Sequence, residues 1–365
     1  MCIGGSGFIA SHILNTLLEH GQVTYHALNI QPVPDPNVNF SFGVVFTVRS
    51  ESKGRRIIDV YPDTPSEKLS FVVVEDIAEE GAFDELSDFL KAVKSDPPFN
   101  FVIHTASPYH FNIQDSVKDF LEPAINGTTG IIKAVMAYAP TVKRVVLTSS
   151  FATIVNPWNH AKVYDETMWG PVTREQAMDP TGAYRGSKIL AEKTAWELIE
   201  TQKPQFDLVT IHPPMVYGPV PSFLNGLDSL NTSNHRIRAM IQGETKNTGL
   251  PPTAVYLFTD VRDVALAHVR ALEVPQAGGQ RYFVVGGHYS NKMIADTIRR
   301  SYPQLAERLP AVEDTEDDTP PNVYGYDNRK SREVLGLTYG SIEECVKDTV
   351  ASMLALEAGQ GSTSN

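Results

Sequence analysis

The sequence is poor in cysteine: Cys2 and Cys345 are the only two among 365 residues, and most of the chain separates them. This scarcity excludes a disulfide framework and a cysteine-based metal site, and it favours a reducing, cytoplasmic location. We find no apolar run long enough to cross a bilayer and no charged-then-apolar leader. Basic residues are also few, since 31 Lys and Arg face 43 Asp and Glu for a net charge of −12. That balance argues against nucleic acid and anionic membranes as partners.

What the chain does have is a recurring pattern of short apolar, β-branched runs. They lie at residues 44–48, 69–77, 99–107, 143–150 and 206–214. Runs with so little alternation are typical of central strands covered on both faces. Helical patterns alternate with them, at residues 11–20, 82–93, 116–139 and 183–200. This order predicts an α/β fold with a Rossmann-type doubly wound parallel sheet, in which ligands lie at the carboxyl ends of the strands.

A glycine motif opens the chain, with Gly4, Gly7 and Ala10 at the spacing of a loop that turns from a strand into a helix. Gly4 permits the tight turn, Gly7 lets the backbone approach a diphosphate, and Ala10 keeps the helix close to the strand. The motif alone describes a structural turn equally well. Only residues 1–3 precede it, so we expect the first strand to be largely missing, which exposes apolar area and frees its neighbours' backbone groups.

The residues after the run 44–48 help to predict whether such a loop would hold NAD or NADP. An acidic side chain at the end of the second strand binds the ribose hydroxyls of NAD, whereas a cation accommodates the 2′-phosphate of NADP. Arg49 ends this run and Lys53 follows four residues later, with Glu51 between them. The two cations favour NADPH, although cations on a turn are also common as solvated charges.

A proton-transfer pair is suggested by Tyr184 and Lys188, which lie four residues apart in a helical pattern and therefore on one face. A nearby ammonium lowers the pKa of a phenol, which makes tyrosine a usable proton donor to a carbonyl oxygen. Ser150 ends the preceding strand and could orient that carbonyl. The same spacing recurs at Tyr326 and Lys330, where we predict an exposed loop.

Two histidines at strand ends, His104 and His212, are predicted to be hydrogen-bonded structural residues rather than catalysts. No cluster of His, Cys and carboxylate residues has the spacing of metal ligands.

Taken together, these motifs resemble the extended short-chain dehydrogenases/reductases. Within them, the chain is similar to the dihydroflavonol-4-reductase-like branch, and in particular to fungal and yeast NADPH-dependent aldehyde and ketone reductases of the methylglyoxal reductase type. The ordered set that carries this resemblance is GGSGFIASHIL, TVRSESK, FVIHTASPYHF, NGTTGI, RVVLTSSFA, AYRGSKILAEK, HPPMVYGP and FTDVRDVALAH. It spans almost the whole chain except residues 22–43.

The resemblance implies roles for individual residues. The catalytic set would be Ser150, Tyr184 and Lys188. The diphosphate would lie along Gly4, Gly7, Phe8 and Ile9, and the 2′-phosphate at Arg49 and Lys53. The adenine would lie beside Asp76 and Ile77, the ribose against Thr105, Ala106 and Ser107, and the nicotinamide near Pro213. The substrate pocket would include Tyr109, Phe151 and Met215.

The function that follows is an NADPH-dependent reductase that transfers a hydride to a small or medium apolar aldehyde or ketone. Residues 1–212 would form the NADP-binding Rossmann domain, with an irregular insertion at 22–43 that is either a surface loop or translated intron. Residues 213–358 would form mainly the substrate-binding lobe, with some segments returning to the Rossmann domain, and 359–365 a disordered tail. Two alternatives remain: an NAD-dependent nucleotide-sugar epimerase or dehydratase, and an NADP-binding protein impaired by its truncated first strand.

Overall fold

A computed structural model gives the fold of the chain. It describes residues 2–3, 7–19, 43–77, 79, 99–106, 117–179, 182–224, 226–227 and 230–361. The predicted helix at 82–93, nearly all of the predicted insertion at 22–43 and residues 362–365 of the predicted tail lie outside these ranges.

The strands and helices of the described residues follow the alternation expected from the sequence. The strands are β1 (Cys2–Ile3), β2 (Val44–Val48), β3 (Leu69–Val73), β4 (Phe101–His104), β5 (Arg144–Thr148), β6 (Val163–Tyr164), β7 (Asp207–His212), β8 (Met215–Tyr217), β9 (Leu257–Asp260), β10 (Gln280–Phe283), β11 (Gly287–His288) and β12 (Gly325–Tyr326). The α-helices are α1 (Phe8–Glu19), α2 (Glu51–Ile58), α3 (Glu122–Tyr138), α4 (Arg174–Met178), α5 (Ala183–Gln202), α6 (Thr232–Ile241), α7 (Val261–Glu273), α8 (Asn291–Ser301), α9 (Arg329–Leu335) and α10 (Ile342–Gly361). A π-helical turn at Val117–Leu121 leads into α3.

Seven strands form one parallel sheet in the order β3-β2-β1-β4-β5-β7-β10. The chain therefore winds outward from β1 in both directions, and the carboxyl ends of β1 and β4 face the crevice where the strand order reverses. This confirms the predicted α/β class and the doubly wound parallel sheet.

The first strand is present, although it has only two residues. Cys2 pairs with Phe46 of β2 and with Ile103 of β4, and Ile3 pairs with His104. The expectation of a missing strand is therefore corrected to a shortened one, because two residues are enough to bridge the ladders on both sides. The position directly before α1 is thus kept at the centre of the sheet.

Both faces of this sheet are covered by helices, as its apolar strands require. Helices α1 and α7 pack together over one face, with Ile13, Val264 and Val146 among their buried partners. Helices α3 and α5 pack together over the other face, around Ile131 and Val145. All five residues of β5 are buried, which places its carboxyl end deep between the two helical layers.

The later part of the chain adds a smaller layer over the carboxyl ends. Strands β8, β9 and β11 form a three-stranded sheet, and a separate apolar cluster includes Ile237 of α6, Ile294 of α8 and Val346 of α10. Strand β10 leaves this layer and pairs with β7 of the large sheet. None of the helices among the described residues is long and apolar enough to cross a membrane.

Candidate active site

Helix α5 carries the predicted proton-transfer pair along one stripe. Tyr184, Lys188 and Glu192 follow one another at intervals of four residues, so their side chains leave the helix on the same side. Tyr184 and Lys188 are half-buried, whereas Glu192 is only 1% exposed. The stripe thus runs from the partly open amino end of α5 into the closed interior beside the sheet.

The amino end of α5 is fixed by a close approach of α4. A Cβ atom placed on Gly186 would come within 2.1 Å of the Cβ atom of Ala177, so only glycine allows the two helices to meet at this distance. Ala177 is fully buried in that contact. Since Gly186 lies between Tyr184 and Lys188, a larger residue there would displace both functional groups together.

Lys188 lies in surroundings that penalise its charge. Burial lowers the pKa of its ammonium to about 8, and the carboxylate of Glu192, one helical turn further on, opposes part of this shift. His104 at the end of β4 is also buried, and burial followed by the nearby Lys188 charge lowers its pKa to about 3. At neutral pH Lys188 is therefore protonated and His104 neutral.

The two serines at the end of β5 take different roles. Ser149 is buried and donates a hydrogen bond to the Glu192 carboxylate. The hydroxyl oxygen of Ser150 accepts a 3.1 Å hydrogen bond from the backbone N–H of Ala152, and so caps the short helical turn at Phe151–Thr153. That bond occupies a lone pair of the oxygen and leaves the O–H of Ser150 able to donate to a substrate.

Glu192 is the centre of a buried polar network. Its carboxylate accepts hydrogen bonds from His212 Nε2 at 2.9 Å and from Arg281 Nε at 2.8 Å, besides the bond from Ser149. Weaker contacts at 3.3 Å come from Thr210 and Trp196. Burial by itself would raise the pKa of this carboxylate. Its partners, His212 most of all, favour the ionised form, and the pKa therefore lies well below the usual range.

The two strand-end histidines, both expected to be hydrogen-bonded, differ in the structure. His212 is hydrogen-bonded through both ring nitrogens, to Glu192 and to the carbonyl of Tyr282, which confirms a structural role. For His104 the expected hydrogen bonds are not found, because neither ring nitrogen has a partner among the described residues, and its non-catalytic role stays a prediction. Its desolvated ring lies near Lys188, and an ionised histidine there would place two cations side by side.

The residues expected at the cofactor lie along the carboxyl ends of the parallel strands. Gly7 directly precedes α1, which begins with Phe8 and Ile9, and the first backbone N–H groups of a helix can meet a phosphate. Thr105 and Ala106 follow β4, and Pro213 follows β7. Asp76 and Ile77 come shortly after β3, with the side chain of Ile77 against Gly127 of α3. Gly4 and Ser107 lie outside the described residues.

The two cations after β2 are exposed and close to each other in the chain. Arg49 follows the last residue of β2, and Lys53 lies in the first turn of α2. Glu51 pairs with Arg55 at 2.7 Å, which occupies the one carboxylate between them. The start of α2 is held against β3 because Gly54 faces the ring of Phe71, where a Cβ atom would come within 2.4 Å of the ring.

Of the expected substrate-pocket residues, Met215 is half-buried at the start of β8 and Phe151 is only 3% exposed. The Phe151 ring packs between Phe283, Tyr164 and Tyr324. Phe151 therefore lies inside an aromatic cluster rather than on a broad open surface, and its contact with substrate stays a prediction. Tyr109 lies outside the described residues.

The second Tyr–Lys pair is part of ordered structure rather than of an exposed loop. Tyr326 belongs to β12, which pairs with β6, and Lys330 lies 5.3 Å from the ring centre of Tyr282 and 3.9 Å from the Glu166 carboxylate. This corrects the expected loop, and it distinguishes the two pairs by their surroundings. Among the described residues, no three His, Cys, Asp or Glu side chains come together in an arrangement that could hold a metal ion.

Sequence reasoning missed Glu192 and Arg281. The interval from Lys188 to Glu192 was visible as a four-residue helical spacing in the chain. Arg281 gave no such signal, because it lies 89 residues beyond Glu192 and reaches it only through the pairing of β10 with β7.

Comparison with known proteins identifies a family that the sequence matches and several reductases that the chain resembles. The sequence matches the NAD dependent epimerase/dehydratase family over residues 1–286. It is 51% identical over 351 residues to ketoreductase azaE of Aspergillus niger, covering 96% of each chain. The fold is similar to the crystal structure of yeast methylglyoxal/isovaleraldehyde reductase Gre2 complexed with NADPH, with a TM-score of 0.83, 31% identity and 98% of both chains covered. It is also similar to Gre2 from Candida albicans in complex with NADPH, with a TM-score of 0.82, 32% identity, and 97% and 98% of the chains covered.

Proposed function

This chain belongs to the NAD dependent epimerase/dehydratase family, that is, to the extended short-chain dehydrogenases/reductases, and we propose that it is an NADPH-dependent aldehyde and ketone reductase. One observation carries the proposal: Tyr184 and Lys188 share a face of α5 beside the end of β5, where Ser150 keeps a hydroxyl proton to donate. A general acid, a cation and a hydrogen-bond donor at the carboxyl edge of a parallel sheet suit the reduction of a carbonyl group.

The residues along the strand ends fit a phosphorylated dinucleotide. The start of α1 offers backbone N–H groups after Gly7, and Arg49 and Lys53 offer positive charge where a 2′-phosphate would lie. NADPH, when bound, supplies the hydride that reduces the carbonyl carbon. The residue that directly follows β2 is the cation Arg49 rather than an acid, which disfavours the NAD-dependent epimerase alternative.

Each catalytic side chain has a distinct role in this proposal. Tyr184 donates its phenolic proton to the carbonyl oxygen as negative charge develops there. Lys188 lies one turn away as an ammonium, so it stabilises the phenolate that Tyr184 becomes. Ser150 donates a hydrogen bond to the same oxygen and holds the carbonyl in line.

We propose a small or medium apolar aldehyde or ketone as substrate, because Met215 and the Phe151 cluster supply apolar walls near Pro213. We further propose residues 1–212 as the NADP-binding domain and 213–358 as mainly the substrate lobe. Strand β10 lies within residues 213–358 and pairs with β7 of the large sheet, which supports the expectation that some segments of this part return to the NADP-binding domain. A cytoplasmic location stays a prediction that rests on the two widely spaced cysteines.

The first test is a fluorescence titration of the purified chain with NADPH, and with NADH beside it, followed by a panel of aldehydes and ketones. We expect saturable binding that favours NADPH, and oxidation of NADPH by apolar carbonyl compounds. Tight binding of NAD with no carbonyl reduction would favour the epimerase alternative. A folded chain that binds neither cofactor would contradict the proposal and point to an impaired amino terminus.

The double variant Arg49→Ala/Lys53→Ala tests the 2′-phosphate site. We expect its Kd for NADPH to rise about 30-fold while its Kd for NADH changes less than about twofold, since only the phosphate loses two charge contacts. The matched control is Lys68→Ala/Lys143→Ala, which removes two positive charges from exposed positions directly before β3 and β5, at the amino ends of the parallel strands. An equal loss of NADPH and NADH affinity in the first variant would contradict the assignment.

The reduction rate should depend on pH through Lys188. Its charged form is present below a pKa of about 8 and is lost as pH rises, so kcat should be constant near pH 7 and fall above pH 8. Initial rates at saturating NADPH and substrate from pH 6 to pH 10 measure this profile. In the variant Lys188→Arg the cation stays charged throughout this range, so the fall near pH 8 should disappear even though kcat is lower. A wild-type profile that is level to pH 9.5 would refute this role.

A further inference from the structure

The Glu192 carboxylate is a charge removed from solvent, and the proposed reaction does not use it directly. Burying a carboxylate is costly unless hydrogen bonds and countercharges compensate it. Here the side chain is 1% exposed, and its two oxygens accept bonds from Ser149, His212 and Arg281. Because this compensated carboxylate lies one helical turn from Lys188, we consider a role for it in the active site as well as in stability.

The network around this carboxylate joins separate elements behind the site. Its donors come from the segment after β5, from β7 and from β10. Arg281 continues the network to Thr153 Oγ1 at 3.2 Å, and Thr153 in turn donates to the backbone carbonyl of Ser150 at 2.9 Å. Three consecutive hydrogen bonds therefore link Glu192 to the residue that would hold the substrate carbonyl.

The same Arg281 side chain also fixes the segment opposite α5. It donates to the backbone carbonyls of Glu166 and Met168, and its guanidinium lies 3.9 Å from the centre of the Trp169 ring. The arginine is 12% exposed, so its position is determined by these contacts rather than by solvent. Through it, Glu192 orders both the turn after Ser150 and the segment that follows β6.

The charged groups around Lys188 come from several elements. Tyr184 and Glu192 share its helix, and His104 faces it from β4 as a neutral ring. His212 and Arg281, from β7 and β10, bond to Glu192. Among these groups Glu192 supplies the negative charge that opposes the loss of the lysine proton. Lys188, Ser149 and Glu192 also line one small cavity between α5 and the ends of β4 and β5.

We propose that Glu192 is a positioning residue of this active site: its buried carboxylate places a negative charge one helical turn from Lys188, at the cavity that both residues line, and fixes Ser150 through Arg281 and Thr153. This inference rests on the proposed reductase function, so NADPH binding and carbonyl reduction by the wild-type chain are measured first. A wild-type chain without either activity refutes the proposed function. An active wild-type chain allows the role of Glu192 to be judged separately.

The variant Glu192→Gln keeps the side-chain size and removes its charge. We expect the fall in kcat on the alkaline side to move about one pH unit lower, the smallest shift typical for loss of a neighbouring opposite charge. At pH 8 and above, that shift alone lowers kcat up to about tenfold. The Kd for NADPH, measured by fluorescence titration at pH 6.5, should change less than about threefold.

Glu273→Gln is the matched control, because it also removes a buried carboxylate that pairs with an arginine. Glu273 contacts Arg270 at 3.1 Å near the end of α7, and this end of α7 contacts Arg144 at the start of β5, opposite the end that carries Ser149. We expect the control to lose stability without any movement of the pH profile. Equal movement in both variants, or a wild-type profile and kcat in Glu192→Gln, overturns the proposal.

A second variant covers the case in which Glu192→Gln does not fold. Glu192→Asp keeps the charge and withdraws it by one methylene from Arg281 and His212. We expect kcat to fall at least about fivefold at every pH while the alkaline limb stays at its wild-type position, because the charge remains but the placement of Ser150 is lost. Wild-type kcat in this variant also overturns the proposal.

Discussion

Replacing Tyr184 with phenylalanine is expected to lower kcat for carbonyl reduction by about 10²–10⁴-fold, the range that general acid catalysis by a positioned side chain contributes. The substitution removes one hydroxyl and keeps the ring, so the packing of α4 on α5 at Gly186 is unchanged. The Kd for NADPH should therefore change less than about threefold. Steady-state kinetics and a fluorescence titration on the same preparation measure the two quantities.

The chain supplies a control for this experiment in its second Tyr–Lys pair. Tyr326→Phe removes the same hydroxyl four residues before a lysine, but in β12 rather than on α5. We expect its kcat to stay within about twofold of the wild-type value. If Tyr184→Phe retained near-normal turnover, or if both variants lost it equally, Tyr184 would not be the proton donor.

The largest expected effect on stability comes from Arg144 at the start of β5. Its guanidinium pairs with Asp207 of β7 at 2.6 Å and donates to the carbonyls of Ala271, Val274 and Pro275. Arg144→Met would remove this donor from the Ala271 carbonyl and from the Asp207 carboxylate, whereas the carbonyls of Val274 and Pro275 keep the backbone N–H groups of Ala277 and Gly278. We expect the free energy of unfolding to fall by about 2 kcal/mol, because the buried Ala271 carbonyl loses this donor, whereas the Asp207 carboxylate, whose side chain is 38% exposed, stays in contact with water.

Urea denaturation followed by circular dichroism measures this change. The control is Arg55→Met, which breaks the Arg55–Glu51 pair on the solvent face of α2, where both side chains are more than half exposed. Exposed pairs of this kind contribute little, so its unfolding midpoint should match that of the wild type. A loss below about 1 kcal/mol in Arg144→Met would show that other donors or water replace the guanidinium.

The sequence was a good guide wherever the relevant contacts are local. The five apolar runs became strands of the large sheet, although four of the five strands end before their runs do; β3 stops at Val73, for example, where the apolar run continues. Tyr184 and Lys188 could be paired from their spacing alone, because a helix brings residues four apart onto one face. The shortened β1 was visible in the sequence, but its survival between β2 and β4 was not.

By itself, the sequence determined the class of fold through its periodicity and the family through its ordered motifs, and it placed the proposed proton-transfer pair on one face of a helix, since all of these depend on neighbours along the chain. Only the tertiary structure decided that Glu192 is enclosed by Ser149, His212 and Arg281, and that Phe151 is packed inside an aromatic cluster. The bonds of His212 and Arg281 to Glu192 join residues 20 and 89 positions apart, and they exist because β7 and β10 complete the sheet next to β5. Strand pairing across such distances has no local signal, so the groups packed around the proposed catalytic residues became evident only once the sheet was assembled.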